Sequence, residues 1–442
     1  MNKWGAKMLN KLDFRNGNKQ QEVELYNKLS RRTGSNSNND VMNIVLDIIK
    51  SVREDGDKAL YTYTQKFDKA DLTGCGIRVL KQEIEDAYGK VDAELIGTIK
   101  KAQQNIAEFH QKQLQNSWID TKSDGTMLGQ LVSPIESVGL YVPGGTAPLI
   151  SSVLMTAVPA KVAGVKRLVM CTPPAADATT NPAMLVAADI AGVDEIYKLG
   201  GAQAVAALAY GTESIFKVDK IVGPGNVFVA TAKRLVFGDC DIDMFAGPSE
   251  ILVIADNTAT PSYIAADLLS QAEHDKLASS VLITDCKELI DRVEEQIKNQ
   301  LEVLSRNQIT ECSLRDYGYA ILVDNLDEAI RVSNCISPEH LELCTKEPLS
   351  LVGKIKNAGA IFVGEYSPEP LGDYFAGPSH VLPTSGTARF SSPVNVDQFI
   401  KKSSLIYYNK EALCKVSEDI VRFAQAELLD AHANAISVRM AQ

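Results

Sequence analysis

Two adjacent residues in this sequence could carry acid–base chemistry. Glu339 offers a carboxylate able to activate water, and His340 offers an imidazole that titrates near neutral pH. The preceding residues, Ser337 and Pro338, predict the start of a helix, with Ser337 as the N-cap and Pro338 in the first turn. A carboxylate at a helix start is commonly only a surface charge that the helix dipole favours, so the pair alone leaves both interpretations open.

Histidine is scarce, with 5 in 442 residues. Gln271 and His274 are three residues apart after an apolar helical stretch, so an amide oxygen and an imidazole share one helix face and could bind one metal ion. A polar helix end is the commoner reason for this spacing. His110 is predicted to be a solvated residue on the polar side of its helix.

The remaining histidines lie towards the end of the chain. Asp373 and His380 belong to a Pro/Gly-rich stretch at 365–389, which we predict to be a long, ordered loop with a functional role. Zinc needs about four nitrogen, oxygen or sulfur ligands. The candidate ligands are Gln271, His274, Asp373 and His432. Sequence spacing alone does not bring them together.

Four glycine-rich turns point to a ligand cleft. They lie at 142–146, 200–203, 223–226 and 246–250, and each follows or borders a predicted strand. Such turns at the carboxyl ends of strands bring backbone N–H groups close to a phosphate. None of them has the G-x-G-x-x-G pattern, so the standard dinucleotide fingerprint is absent. One such turn is commonly structural, but four in so short a segment favour a ligand cleft.

The elements that must position these residues change in character along the chain. Apolar periodicity predicts helices after Asp40 and over 92–113, so the opening third is mainly helical. From about residue 138, short apolar runs alternate with Ala-rich helical stretches, which is typical of βαβ units and parallel sheets. We predict an α/β fold with two doubly wound, incomplete Rossmann-like domains, a helical N-terminal region and a C-terminal helical arm.

The predicted domain boundaries follow from these changes. Residues 31–140 and 250–389 are assigned to the first α/β domain, and 141–249 to a second one inserted between its halves. The N-terminal segment is 1–30, and the C-terminal arm is 390–442.

Glu427 breaks the pattern of the C-terminal arm. A helix is predicted over 411–432, and Glu427 occupies a position on its apolar stripe. Such an inconsistency marks either a functional site or the point at which the helix leaves its groove, and the pattern favours neither.

Charge and cysteine usage exclude several classes of protein. The net charge is −11 and no Lys/Arg-rich block occurs, which argues against nucleic-acid and anionic membrane partners. The 8 cysteines are scattered without a C-x-x-C pair, as expected of reduced thiols in a cytosolic protein. No apolar run matches a signal peptide or a bilayer span, so we expect a cytoplasmic protein.

Long motifs resemble the histidinol dehydrogenase family from about residue 130 to 438. The matching stretches are VGLYVPGGTAPLISSVLMTAVPA, LGGAQAVAALAYGT, VDKIVGPGNVFVATAKR, DIDMFAGPSEILVIAD, LLSQAEHD, ISPEHLEL, LGDYFAGPSHVLPTSGTARFSS and AHANAISVR. Phe245 and Ser379 depart from the family's common residues, which affects only fine substrate contacts.

The resemblance implies a homodimeric zinc enzyme that oxidises L-histidinol through L-histidinal to L-histidine with two NAD, in the last steps of histidine biosynthesis. It implies zinc ligands at Gln271, His274, Asp373 and His432. It implies that Glu339 and His340 are the catalytic bases. The implied NAD contacts, in the inserted domain, are Tyr141, Gln203 and Asn226.

Substrate contacts and the dimer follow from the same resemblance. Ser249, His380 and Glu427 are the implied substrate contacts, together with His340 and the four zinc ligands. The C-terminal arm would reach the site of the partner subunit, so that Glu427 and His432 act across the dimer. The N-terminal segment would add to the dimer contact.

Three other functions compete with this interpretation. A zinc hydrolase would use Glu339 to activate water without nicotinamide, although the glycine-rich turns then lack a purpose. An aldehyde dehydrogenase would use Cys335 or Cys344 as a thiol nucleophile, whereas a small buried cysteine is the commoner case. The third is a catalytically silent zinc- or nucleotide-binding protein.

Overall fold

The computed structural model describes residues 8–15, 17, 19–32, 38–144, 148–245 and 247–441. Its strands are β1 (Asn10–Asp13), β2 (Trp118–Thr121), β3 (Met127–Pro134), β4 (Ser137–Tyr141), β5 (Arg167–Thr172), β6 (Glu195–Lys198), β7 (Lys220–Val222), β8 (Asp241–Ile242), β9 (Glu250–Ala255), β10 (Ser279–Thr284), β11 (Gly318–Leu322), β12 (His340–Cys344), β13 (Ala360–Val363) and β14 (Ile400–Tyr407).

The helices alternate with these strands over most of the chain. They are α1 (Lys19–Ser30), α2 (Asn38–Asp55), α3 (Asp57–Phe67), α4 (Lys81–Tyr88), α5 (Ala93–Gln111), α6 (Ile150–Ala163), α7 (Pro182–Ile190), α8 (Gly201–Tyr210), α9 (Val227–Val236), α10 (Pro261–Ala272), α11 (Lys287–Leu301), α12 (Asn307–Tyr317), α13 (Leu326–Ile336), α14 (Leu349–Val352), α15 (Glu369–Tyr374), α16 (Lys410–Ala426) and α17 (Asp430–Met440).

A parallel five-stranded sheet has the order β6-β5-β4-β7-β8. Successive residues of a strand face opposite sides, and both sides are covered by helices. Leu168 and Met170 of β5 therefore pack into one core, whereas Val169 and Cys171 pack into the other. The strand order reverses between β4 and β7, which is the topological switch point of a doubly wound sheet.

The second sheet repeats this topology. Its order is β1-β11-β10-β9-β12-β13, and all of its pairs are parallel. Apart from β1, the strands follow the same doubly wound order, with the reversal between β9 and β12. The predicted α/β class with two Rossmann-like domains is confirmed.

The opening third of the chain packs differently from its predicted grouping with 250–389. α2 contacts α8 and α9, α4 contacts α7, and α5 contacts α6, so these helices cover the five-stranded sheet. The apolar face of α2, with Val45, Ile48 and Val52, belongs to the same core as Leu208 of α8. An amphipathic pattern specifies a buried face but does not identify the sheet that buries it, which is why the predicted boundary was wrong.

The described part of the N-terminal segment also lies within the chain's own fold. β1 pairs with β11 and extends the six-stranded sheet by one strand. Its role in a dimer contact stays a prediction.

The C-terminal arm begins with β14, which pairs antiparallel with β3 in a three-stranded sheet that also holds β2. The predicted single helix over 411–432 is wrong, because α16 ends at Ala426 and α17 begins at Asp430. Leu428 between them has a positive φ of 59°, a conformation that interrupts a helix. Glu427 is exposed and caps the end of α16, so its place on the apolar stripe coincides with a helix end.

Membrane-spanning segments are not found in the part of the chain that the structure describes, since its helices are too short or too polar for that purpose.

Candidate active site

Glu339 and His340 are buried where β12 begins, beside β9 in the six-stranded sheet. The predicted helix start at Ser337 is wrong, because α13 ends at Ile336 and Ser337, with a φ of 56°, caps that end. Pro338 then follows a helix end, where proline is also common. Glu339 and His340 are 7% and 3% exposed, so the interpretation as a surface charge is excluded.

Hydrogen bonds to Glu250, the first residue of β9, orient the pair. The Glu250 N–H donates to Glu339 Oε2 at 2.8 Å, and the Glu339 N–H donates to Glu250 Oε2 at 3.2 Å. His340 Nδ1 lies 2.8 Å from the carbonyl oxygen of Glu250. Because a carbonyl only accepts, Nδ1 carries a proton, and in the neutral ring Nε2 keeps its lone pair. Nε2 is buried without a hydrogen-bond partner among the described residues.

The Glu250 carboxylate is itself held by neighbours. Arg32 forms a buried ion pair with it, and the Ser385 N–H donates to its Oε1 at 2.8 Å. Sequence reasoning assigned no role to Glu250. The available signal was a charged residue that opens the otherwise apolar strand β9.

Burial and the charge of the neighbouring residue shift the pKa values of both Glu339 and His340. Burial raises the pKa of Glu339 to about 8, although the neighbouring His340 works in the opposite direction. Burial alone lowers the pKa of His340, but the Glu339 carboxylate and then Asp373 outweigh it, so that the pKa is raised. Two groups that stabilise each other's charged forms in a buried place are suited to hold and pass a proton.

Asp373 lies next to this pair on α15, a short helix within the stretch predicted as a loop. Its Oδ1 is 3.6 Å from His340 Nε2. Glu369, four residues earlier on the same helix face, completes a group with His340 and Asp373 whose candidate ligand atoms all lie within 4.8 Å of one another. Burial would raise the pKa of Asp373, but His340 and His380 lower it to about 2, which keeps this carboxylate ionised.

Glu369 was missed in the sequence analysis. It is buried at 2% exposure, and its N–H donates to Glu342 Oε1 at 2.8 Å. Its spacing from Asp373 was a usable signal only if the segment was recognised as a helix.

Gln271 and His274 lie at and just beyond the end of α10, in the same region. Gln271 is buried, and its Oε1 has no hydrogen-bond partner in the described chain. His274 is exposed on one side, yet surrounding protein desolvates the ring and lowers its pKa, an effect that Asp373 opposes. An orphaned amide oxygen, a neutral imidazole and an ionised carboxylate form a donor set that suits zinc.

His380 faces Asp373 from the following segment. Its Nδ1 is 3.0 Å from the Asp373 carbonyl oxygen, and its Nε2 is 3.1 Å from Ser152 Oγ. Asp373 and His380 line one cavity of about 660 Å³. Ser249 is the half-buried residue directly before β9.

This cluster lies at the amino ends of β9 and β12, because Glu250 and His340 are the first residues of those strands. Ligands of open α/β sheets usually bind at the carboxyl ends, as the sequence analysis assumed. α10 follows β9 and runs back along it, which brings Gln271 to the same edge as Glu250.

The predicted nucleotide contacts lie on the other sheet, at its carboxyl edge. Tyr141 is the last residue of β4, and its hydroxyl accepts from the Gly201 N–H at 3.1 Å. Gln203, in the first turn of α8, is buried, and neither atom of its amide has a partner in the described chain. Asn226 caps α9, since its Oδ1 accepts from Phe228 N–H at 3.0 Å. The hydrogen bonding of the Asn226 side-chain oxygen is therefore explained by the helix cap alone.

A buried ion pair fixes the turn before Asn226. Asp243 Oδ2 accepts from the Gly223 N–H at 2.8 Å, and Lys233 Nζ donates to the Gly223 carbonyl at 2.8 Å. Gly223 has a φ of 120°, and a Cβ there would lie 2.1 Å from the Tyr141 carbonyl oxygen. The carboxyl ends of β4 and β7 therefore meet at this turn, which requires glycine.

Comparison with known proteins settles the family. The family model described as histidinol dehydrogenase matches residues 31–440. A histidinol dehydrogenase of Clostridium acetobutylicum is 58% identical, over 94% of this chain and 95% of its own length. One of Bacillus subtilis is 56% identical, over 89% and 92%. The chain belongs to the histidinol dehydrogenase family.

A solved structure from this family supports the same conclusion for the fold. The crystal structure of histidinol dehydrogenase from Elizabethkingia anophelis superposes with a TM-score of 0.91 at 40% identity, and covers 98% of each chain. The resemblance to the histidinol dehydrogenase family inferred from the sequence is confirmed.

The structure brings together several of the residues that the resemblance to histidinol dehydrogenases implied. Interactions link His340 with Glu339, Asp373 and His274, and link Asp373 with His380. Glu427 and His432 are exposed near the ends of α16 and α17, and within one chain no described hydrogen bond or ion pair joins them to this cluster.

Two other predictions have a clear outcome. His110 is buried rather than solvated, with Nδ1 2.8 Å from the Ile106 carbonyl oxygen, because the backbone at Val394 covers the helix face that looked polar. Cys344 is buried and its thiol pKa is raised by burial, whereas a nucleophilic cysteine needs a lowered one. The arrangement therefore disfavours Cys344 as the nucleophile of an aldehyde dehydrogenase.

Proposed function

We propose that this chain is an NAD-dependent histidinol dehydrogenase, which oxidises L-histidinol through L-histidinal to L-histidine in histidine biosynthesis. The observation that best supports this is the buried Glu339–His340 pair beside the donor set of Gln271, His274 and Asp373. The 8 cysteines are free thiols, in keeping with a cytoplasmic location.

The residues divide the binding tasks. Gln271, His274 and Asp373 would hold zinc together with the partner subunit's His432, and Tyr141, Gln203 and Asn226 would contact NAD. The substrate would meet Ser249, His380 and Glu427 as well as the zinc ligands and His340. When bound, zinc supplies an electron-pair acceptor for substrate nitrogens, and each NAD supplies a hydride acceptor.

His340 would act in both oxidations. Its Nδ1 is engaged by the Glu250 carbonyl, so Nε2 accepts the proton of the substrate hydroxyl as the carbinol C–H leaves as hydride. After the first oxidation the product is an aldehyde. The second oxidation removes a hydroxyl proton and a hydride from the hydrate of that aldehyde.

Glu339 would form this hydrate. Its carboxylate would take a proton from water while the water oxygen attacks the aldehyde carbon, and the carbonyl oxygen would take the proton that His340 accepted in the first oxidation, which leaves His340 free to act as base again. Glu339 is held by the backbone of Glu250 and lies 3.6 Å from His340, so the two bases are placed side by side for successive steps.

The test is NADH formation from L-histidinol by the zinc-loaded protein. Two NADH are expected for each L-histidine formed, because each oxidation transfers one hydride. Hydrolysis of an ester or amide substrate without NAD, together with no NADH from L-histidinol, would instead support a zinc hydrolase. Failure of the folded, zinc-loaded protein to form any NADH would contradict the proposal.

The same proposal includes a homodimer with shared sites, because Glu427 and His432 are exposed and no described hydrogen bond or ion pair joins them to the cluster of their own chain. Mixing inactive His340→Ala and His432→Ala chains should restore about a quarter of wild-type activity. The reason is that half of the dimers are mixed and each has one intact site. Activity would be measured after subunit exchange is verified with differently tagged chains. No recovery despite exchange would contradict shared sites.

A further inference from the structure

The carboxyl edge of the five-stranded sheet holds several buried polar atoms that lack partners. They are Gln203 Oε1 and Nε2, Thr172 Oγ1 and Asp68 Oδ2, and none of them makes a hydrogen bond within the described ranges. Buried polar groups in native proteins are nearly always satisfied. A concentration of unsatisfied groups at a strand edge therefore marks a place where a ligand completes the hydrogen bonding.

Asp68 is the one charged member of this set. It caps the end of α3, where its N–H donates to the Thr64 carbonyl at 2.9 Å. Its carboxylate faces the start of α8, since a Cβ placed on Gly200 would lie 3.3 Å from Asp68 Oδ1.

Asp68 lies next to the predicted nucleotide site. Tyr141 is close enough for the Asp68 charge to contribute, after burial, to the raised pKa of the tyrosine hydroxyl. That hydroxyl in turn accepts from the Gly201 N–H. Burial raises the pKa of Asp68 to about 6, because the carboxylate loses contact with water.

We propose that Asp68 binds the ribose hydroxyls of a nucleotide seated on the N-terminus of α8. This inference rests on the proposed use of NAD. An ionised carboxylate offers only acceptors, so the group that it binds must present donors, and the vicinal hydroxyls of ribose do so without adding charge. The same carboxylate repels a 2′-phosphate, so it also makes the site selective for NAD over NADP.

The test measures the binding of NADH and of NADPH to the full-length, zinc-loaded protein in the absence of histidinol. Binding is monitored by the fluorescence of the reduced nucleotide. Asp68→Asn is expected to weaken NADH binding about tenfold or more, because a charge-assisted hydrogen bond is lost. It should also narrow the preference for NADH over NADPH. Asp71→Asn, at an exposed position three residues later, is the matched control and should bind both nucleotides like the wild type.

Thermal unfolding separates ligand binding from a structural role. Asp68 Oδ2 has no hydrogen-bond partner among the described residues, so Asp68→Asn should unfold at the wild-type temperature or above it at pH 8. A lowered unfolding temperature with unchanged NADH affinity would overturn the proposal. Equal losses of NADH and NADPH affinity would also overturn it. A wild type that binds no NADH would refute the proposed function as well, whereas normal wild-type binding that Asp68→Asn leaves intact refutes this inference alone.

Discussion

Replacing Glu339 by glutamine is expected to lower the rate of histidine formation by about 10²–10⁴-fold, the range for loss of a general base. The glutamine keeps the size of the side chain and an acceptor for the Glu250 N–H, so the fold should be retained. The amide cannot take a proton from water. The aldehyde then forms but is not hydrated at a useful rate.

The stoichiometry shows which half of the reaction is lost. Because His340 is intact in Glu339→Gln, the first oxidation should still give one NADH per histidinol, measured in a rapid-quench experiment that also quantifies histidine. His340→Asn should lose both oxidations. Glu347→Gln, the same substitution at an exposed position, serves as the control. Two NADH per histidinol at the wild-type rate from Glu339→Gln would show that Glu339 is not the base.

The sequence predicts the fold well because strand and helix patterns are local. Short apolar runs such as β5 and β9, separated by helical stretches, already specify parallel sheets with both faces covered. Which sheet α2 covers is decided by long-range packing. That is why the domain boundaries were less accurate than the fold class.

Ser337 and Pro338 show a second limit of local patterns. A small polar residue followed by proline fits either end of a helix. The structure resolves the ambiguity, because α13 ends at Ile336, directly before Ser337. The same local pattern therefore placed Glu339 and His340 in a helical first turn, whereas they begin a buried strand.

The supporting carboxylates of the site could not be predicted in the same way. Glu250, Glu342 and Glu369 are all buried, and each is explained only by a contact with a residue distant in sequence. Family motifs identified the groups implied to touch substrate or metal. The residues that orient those groups became evident only from tertiary contacts.

Removal of zinc is expected to abolish histidinol oxidation, and zinc should restore it. The chain is expected to bind about one zinc ion, since the donor set of a single site is proposed. Metal content would be measured by mass spectrometry before and after chelation, together with NADH formation. Full activity of protein shown to be free of metal would contradict a zinc-dependent reaction.

Two overlapping groups around Asp373 could hold the metal, and substitutions distinguish them. One is the implied set with Gln271 and His274, and the other is the group of His340, Glu369 and Asp373. Asp373→Asn should lose zinc in both cases, because Asp373 belongs to both groups. This variant therefore tests whether the metal lies at Asp373 but does not distinguish the two groups.

His274→Ala and Glu369→Gln give opposite results for the two groups. In the first arrangement His274→Ala weakens zinc binding by more than the 10–100-fold typical of a supporting residue, while Glu369→Gln retains the metal. In the second arrangement, Glu369→Gln weakens zinc binding and His274→Ala retains the metal. Lys276→Ala, exposed just after His274, is the control for the helix end. We expect the first result, because Gln271 has an orphaned buried oxygen and His274 has a lowered pKa, which leaves the lone pair of its ring available to a metal.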